Sequence, residues 1–335
     1  MQLCIDQFQE YQETIICWLN EDIDLVEIFQ TLDKNLTKNE KHFNRFRLSN
    51  HFITELKENT FSDITFESIE IAFCSKLKSI HVNAFNTTDQ VTTSVKIIGN
   101  PLLTSPDNSI FEVLSKFIKA NVIELSENNI TEIPTNAFRY QQDRLKQLKF
   151  SGESFWKLGN NAFSQLKSLW YLKITLTSID FIREKAFKFN ENSNRRLTIE
   201  LSDNKLLDNS GFSYNSLANF KGPTLIRVTS VLPGSNFTYL NEKIFLPFLL
   251  LNAENVIEFH SFDCSDCRNY WLIRNDLIKQ LKSFTCSNRK LPVDKDNFIG
   301  CTNIEGNSSN IFERKTYSFL INVIVLSITF YVILG

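Results

Sequence analysis

Apolar residues recur along this chain with a period that belongs neither to a helix nor to a strand. In VIELSENNITEIPTNAF, residues 122–138, they fall at Ile123, Leu125, Ile130, Ile133 and Phe138, with Asn128 inside the run. Alternation over the first residues predicts a short strand, and the staggered remainder fits neither an alternating nor a 3.6-residue period. The same offsets return at Leu148, Phe150, Phe155, Leu158, Ala162 and Phe163, and again at Leu172, Ile174, Ile179, Ile182, Ala186 and Phe187. Upstream, Phe46, Leu48, Ile53, Leu56 and Phe61 match offset for offset, and Ile69, Ile71, Leu77, Ile80, Ala84 and Phe85 match with one residue inserted. Val95, Ile97, Asn100 and Leu102 open another unit, as do Ile199, Leu201, Asn204 and Leu206; looser copies start at Ile226 and Ile257. This makes about nine units spaced by roughly 23 to 31 residues, each too small to bury its apolar stripe except by stacking on its neighbours.

The pattern L-x-L-x-x-N-x-I-x-x-I-x-x-x-A-F resembles the extracellular leucine-rich repeat. That resemblance implies an α/β solenoid: a leucine-rich repeat horseshoe over residues 41–260, with a parallel sheet on its concave side and a cysteine cap at each end. The L-x-L step is then a short strand with alternate residues pointing inward. A chain leaving the strand sharply exposes backbone polar groups, which a buried amide can satisfy. Asn100, Asn128 and Asn204 are assigned that role, and Cys74, Glu153, Thr177 and Val231 stand there in other units, so the asparagine ladder is expected to be broken. Cys74 reads as a buried, inert thiol. The unit around Pro233 and Gly234 carries extra residues that are expected to loop out.

Composition sharpens the picture at the ends. The chain holds 30 Phe and one Met, and its net charge of -2 lacks the clustered basic excess of a nucleic-acid binder. Of seven cysteines, Cys4 and Cys17 lie at the start and Cys264, Cys267, Cys286 and Cys301 near the end, with Cys74 alone between them. Such clustering suggests disulfide-stapled caps and an oxidising compartment. Residues 261–302 resemble the cysteine-rich C-terminal cap of extracellular leucine-rich repeat proteins. By that resemblance Cys264 pairs with Cys286 and Cys267 with Cys301, while Trp271 and Leu272 seal the last core layer. Cys264-x-x-Cys267 read alone would also suit a redox pair or a zinc knuckle. Zinc usually takes a second close pair, whereas Cys286 and Cys301 lie far apart. In the N-terminal cap, residues 1–40, Cys4 and Cys17 either pair across a hairpin or are the last two of a four-cysteine cap. No basic segment followed by an apolar one precedes them, so the true start is expected upstream. Caps, A-F endings and C-x-x-C-x-x-x-W-L together are similar to arthropod leucine-rich proteins named after the non-catalytic subunit of a shrimp luciferase. The similarity covers nearly residues 4–301 and implies partnership with an enzyme rather than catalysis.

Residues 317–335 carry no charge and are long enough to cross a ~30 Å hydrocarbon layer as a helix. Small residues at Asn307, Ser308 and Ser309, within a polar stalk over 303–316, make the pattern of a glycolipid-anchor signal; a retained membrane helix is the alternative. Either places the protein at the cell surface, and without the tail it would be secreted.

Candidate binding residues come from the strand exteriors. The residue between the two inward positions faces out on the concave side: Arg47, Glu70, Lys96, Glu124, Lys149, Lys173, Glu200, Arg227 and Glu258. All are charged, and the signs alternate except from Lys149 to Lys173, where an acidic partner group could sit. Alternation suits cross-strand pairing, which contributes little when exposed, and it also suits a mixed-sign recognition face for a protein partner. Phe73, Ile98, Leu176 and His260 flank the row as candidate anchors. Sequons at Asn35, Asn86, Asn129, Asn236 and Asn307 are candidate glycosylation sites, in about the number chance would supply. No nucleophile-elbow, zincin, P-loop or dinucleotide motif occurs. His42, His51, His81 and His260 are scattered over different units, so neither metal nor cofactor is expected. A thiol oxidoreductase would rest on Cys264 and Cys267 alone. The chain therefore reads as a non-catalytic protein-binding module for adhesion or receptor-like recognition, with a companion that stabilises or localises a secreted enzyme as the alternative.

Overall fold

The computed structural model describes residues 5–6, 14–19, 21–104, 109–140, 143–189, 195–204, 211–217, 222–228, 239–259, 261–262, 266–282 and 285–286, with Leu207, Phe220, Phe298 and Cys301. One twelve-stranded sheet dominates them. Its strands, in chain order and in spatial order alike, are Ile5–Asp6, Thr14–Leu19, His42–Asn50, Thr65–Ala72, Ser94–Ile98, Val122–Ser126, Gln147–Ser151, Tyr171–Thr175, Leu197–Glu200, Thr224–Val228, Val256–Phe259 and Leu281–Lys282. The first pair is antiparallel and every later pair is parallel. A chain that lays each parallel strand beside the previous one must return each time by the opposite side, and the result is a solenoid-like α/β architecture.

The apolar offsets set the register. Phe46, Ile69, Val95, Ile123, Leu148, Leu172, Ile199, Ile226 and Ile257 are successive cross-strand partners, and each is fully buried. Beyond them the sheet takes in Thr14–Leu19 and Leu281–Lys282, from the segments read as caps. One continuous core runs the length of the array, from Ile15 to Cys301.

Unit length decides how the return path is built. Register positions lie 31 residues apart from Ile15 to Phe46, 28 from Val95 to Ile123 and 31 from Ile226 to Ile257. These intervals hold the helices Leu25–Asn35, Ser109–Lys116 and Glu242–Leu251. A helix advances ~1.5 Å per residue against ~3.3 Å for an extended chain, so the same crossing consumes more residues. Shorter intervals use turns, single helical turns and two-residue strands, which form small parallel sheets of their own. Glu55–Leu56 pairs with Ser79–Ile80, and Lys157–Leu158 lies between Glu132–Ile133 and Phe181–Ile182.

Phenylalanines fill the space between strand and return path. Phe61 stacks on Phe85 and Phe85 packs on Phe117; farther along, Phe163, Phe187, Phe220 and Phe248 form a second file. Ring centroids are 5.2–6.2 Å apart within these files, the range in which aromatic pairs add to simple burial.

The turn that leaves each strand departs from expectation in two respects. First, the ladder is not broken wherever asparagine is missing. Cys74 N–H donates to Asn100 Oδ1 (3.0 Å), Asn100 Nδ2 to Asn128 Oδ1 (2.9 Å) and Asn128 Nδ2 to Glu153 Oε1 (2.7 Å). Glu153 also accepts from the N–H groups of Asn128 and Ile130, so its carboxylate replaces the amide as acceptor. Thr177 and Asn204 make a separate run, and among the described residues the break falls between Glu153 and Thr177. Asn50, one position early in its unit, does the same work for Phe52 and Ile53. Second, an inward position shifts by one. Leu102 is exposed and Leu103 is buried in its place; Leu206 lies outside the described residues, and its neighbour Leu207 is buried. Turns closed by Leu103 N–H to Asn100 O and Leu207 N–H to Asn204 O, like Leu77 N–H to Cys74 O, need the extra residue.

At the C-terminal end Trp271 and Leu272 are buried, and Trp271 Nε1 donates to Leu240 O at 3.0 Å. Cys267 and Cys301 form a disulfide. Cys264 lies outside the described residues; Cys286 ends a two-residue strand paired with Ser261–Phe262. Cys17 is disulfide-bonded, and Cys4 lies outside the described residues. Val231, Pro233, Gly234 and residues 302–335, the stalk and apolar tail included, also lie outside them. Among the described residues no helix is long and apolar enough to cross a membrane.

Candidate functional site

Strand alternation buries one face of the main sheet and leaves the other open. On the open face the register brings together all nine charged residues read from the sequence, in one row: Arg47, Glu70, Lys96, Glu124, Lys149, Lys173, Glu200, Arg227 and Glu258. Ile16 extends the row at one end and Lys282 at the other. Sequence reading missed both because they lie in segments assigned to caps, where the repeat pattern fades.

Pairing along this row is uneven. At one end Glu70 takes both Arg45 and Arg47 (3.2 Å to the latter). At the other, Arg227 bridges Glu200 at 3.6 Å and Glu258 at 3.0 Å. Glu200 also accepts a 2.7 Å hydrogen bond from Tyr171, whose hydroxyl is pushed up to about 12 by partial burial and by that carboxylate. In the centre, Lys96, Glu124, Lys149 and Lys173 make no ion pair within 4.0 Å among the described residues; Glu124 takes only a 3.5 Å bond from Ser126 Oγ. The expected cross-strand charge ladder is thus formed at the two ends and absent from the middle.

Beside the charged row runs a floor of small side chains, Ser49, Ala72, Ser126, Ser151 and Thr175, interrupted by Ile98. Next comes a rim of left-handed residues at Phe73, Gly99, Glu127, Gly152, Leu176 and Asp203, with φ from +55° to +67°. Phe73 and Leu176 stand out from it, 52% and 55% exposed, and the Phe73 ring lies across Gly99. His260 lies outside the described residues. Trp18, 76% exposed and paired in register with Ser49, is an aromatic on the same face that sequence reading did not single out. Its signal was available: it sits two residues after Ile16, as Ile98 does after Lys96.

Other candidates are dispersed. Asn35 is exposed, Asn86 and Asn129 are half-buried, and Asn86 Nδ2 donates to Asn59 Oδ1 at 2.8 Å. Asn236, Asn307, Ser308 and Ser309 lie outside the described residues. A cleft of about 310 Å³ between Asp22–Val26 and Phe52–Thr60 is polar, and Lys57 Nζ meets Asp24 Oδ2 across it at 3.0 Å. Among the described residues no three His, Cys, Asp or Glu side chains are grouped to hold a metal ion. Cys74 is buried and free, and burial pushes its thiol up to about 11, which suppresses the reactive thiolate.

No family model matches the chain. It is similar to the Oplophorus-luciferin 2-monooxygenase non-catalytic subunit of Oplophorus gracilirostris, 23% identical over 258 aligned residues, covering 70% of this chain and 67% of that protein. The relative's name describes a subunit that accompanies a catalytic one.

Proposed function

We propose that this chain is a secreted or cell-surface leucine-rich repeat protein that performs no chemistry. It binds another protein through the concave, open face of its sheet and acts as companion to a catalytic polypeptide. The observation that carries the reading is the continuous row of charged side chains across parallel strands, flanked by Trp18, Phe73 and Leu176 as exposed anchors. Interfaces of this kind gain most of their affinity from a few aromatic and charged residues. The similarity to a protein named as a non-catalytic subunit favours an enzyme as partner over an adhesion receptor. The Cys267–Cys301 disulfide fits an oxidising compartment.

The test is affinity capture with the full chain from its own source, alongside a Trp18→Ala/Phe73→Ala variant. The expected result is a catalytic polypeptide that co-purifies with the wild type and is depleted roughly tenfold or more with the variant, since each of the two lost anchors costs on the order of 1 kcal/mol or more. Capture of a non-enzymatic cell-surface protein would favour the adhesion reading. A partner held equally by both proteins would remove the open face from the account.

A further inference from the structure

The geometry points to an acidic, extended segment of a protein partner as the ligand of the central part of the open face, seated on Lys149 and Lys173 with Lys96 beside them. This deepens the protein-binding reading above and rests on it.

The argument is one of uncommitted charge. Ten cross-strand partners form the row from Arg47 to Lys282, and the carboxylates near its ends already have ion-pair partners: Glu70 has two arginines, and Glu200 and Glu258 share Arg227. Lys173 has Glu200 as its register neighbour, yet that carboxylate is turned to Tyr171 and Arg227 and makes no ion pair with the lysine. Its other neighbour is Lys149. Adjacent strands stand ~4.8 Å apart, and like charges directly opposite oppose sheet formation. Two half-buried lysines adjacent in register are relieved by an anion that bridges them. Three lysines against one glutamate give the central four strands a local excess of +2, or +1 with the exposed rim residue Glu127 counted, on a chain whose net charge is -2.

Glu124 decides between an acidic polypeptide and a uniform polyanion. It stands between Lys96 and Lys149, so the order along the row is positive, negative, positive, positive. An unbroken run of sulfates would meet Glu124 with repulsion. A peptide can set acidic side chains over the lysines and a polar or basic residue over Glu124. The adjoining Ser126, Ser151 and Thr175 put only small side chains beside the row.

The experiment uses the full chain and a fluorescent peptide of five Glu-Ser repeats, followed by polarisation at low and at physiological salt. The wild type should bind it, lose affinity as salt rises, and ignore a peptide of five Lys-Ser repeats. Lys149→Glu/Lys173→Glu should weaken binding by about tenfold or more, because two attractions become repulsions. Lys149→Gln/Lys173→Gln should weaken it less, and serves if the first pair fails to fold. Lys78→Glu, away from the open face, should leave binding unchanged. Failure of the wild type to bind the acidic peptide, equal loss with Lys78→Glu, or preference for a heparin fragment insensitive to Lys149 and Lys173 would each overturn the assignment. Those results leave the capture experiment untouched: a partner lost with Trp18→Ala/Phe73→Ala but retained by the double lysine variant keeps the protein-binding reading and discards only the acidic segment.

Discussion

Glu153 shows how much one residue can depart from its consensus without breaking the fold. Its carboxylate is buried, and burial pushes it up to about 6 against the pull of the Asn128 side chain and the Ile130 backbone N–H. The folded state therefore holds this proton more tightly than the unfolded chain, where the ordinary value is 4.5. Its contribution is fully present below 4.5 and is lost as pH rises through about 6, a difference of about 2 kcal/mol. Glu153→Gln removes the ionisation, so urea unfolding at pH 4.5 and 7.5 should show a pH dependence that differs from the wild type's by about that amount. An unchanged slope would mean the carboxylate does not titrate in this window.

Two glycines make a paired test at the same scale. A Cβ on Gly159 would stand 2.3 Å from Thr135 N and 2.5 Å from Pro134 C, both backbone of the neighbouring coil. On Gly99, at φ +67°, it would meet only the exposed ring of Phe73, which can swing aside. Gly99→Ala should cost about 1 kcal/mol for the left-handed backbone, and Gly159→Ala about 3 kcal/mol because coil spacing must give. Thermal unfolding of both variants checks the order, and a reversal would sink the argument.

At the scale of the element, the unit is a strand plus a return path whose form depends on its length. The strands were legible because their period is short and their inward residues are large. Helices of eight or more residues coincide with the longest intervals, a relation the sequence contained as spacing but not as local pattern. The phenylalanine files couple one unit to the next: Phe187 lies between Phe163 and Phe220, with centroids 6.1 and 6.2 Å away. Phe187→Ala should cost about 3–5 kcal/mol through the cavity it leaves, whereas Phe73→Ala on the open face should shift stability by less than about 0.5 kcal/mol. Chemical denaturation of the two variants checks this, and a cost for Phe187→Ala within 1 kcal/mol of the wild type would show that the files do not couple the coils.

For the whole molecule, stability is a sum of units and their shared faces, so the ends should open before the middle. The Cys267–Cys301 disulfide spans 34 residues, and closing such a loop is worth about 4 kcal/mol in the chain-entropy account. Cys301→Ser should therefore speed amide exchange in Trp271–Arg274 and Leu281–Lys282 while leaving Leu148 to Phe150 protected. Simultaneous opening of both regions would make the array one cooperative block rather than a stack that frays from its end.

The repeat was readable from residue order because every inward position is dictated by the same local requirement, a large apolar group at a fixed offset. The charged row was readable for the same reason, since alternation along a strand fixes which side each residue takes. What residue order left open were relations between units. Whether Lys173 pairs with Glu200 depends on Tyr171 and Arg227, towards which that carboxylate turns, and whether Glu153 breaks the ladder depends on donors 23 and 25 residues away. Such choices are made among several partners brought within reach only when the coils stack, and so they belong to the tertiary structure alone.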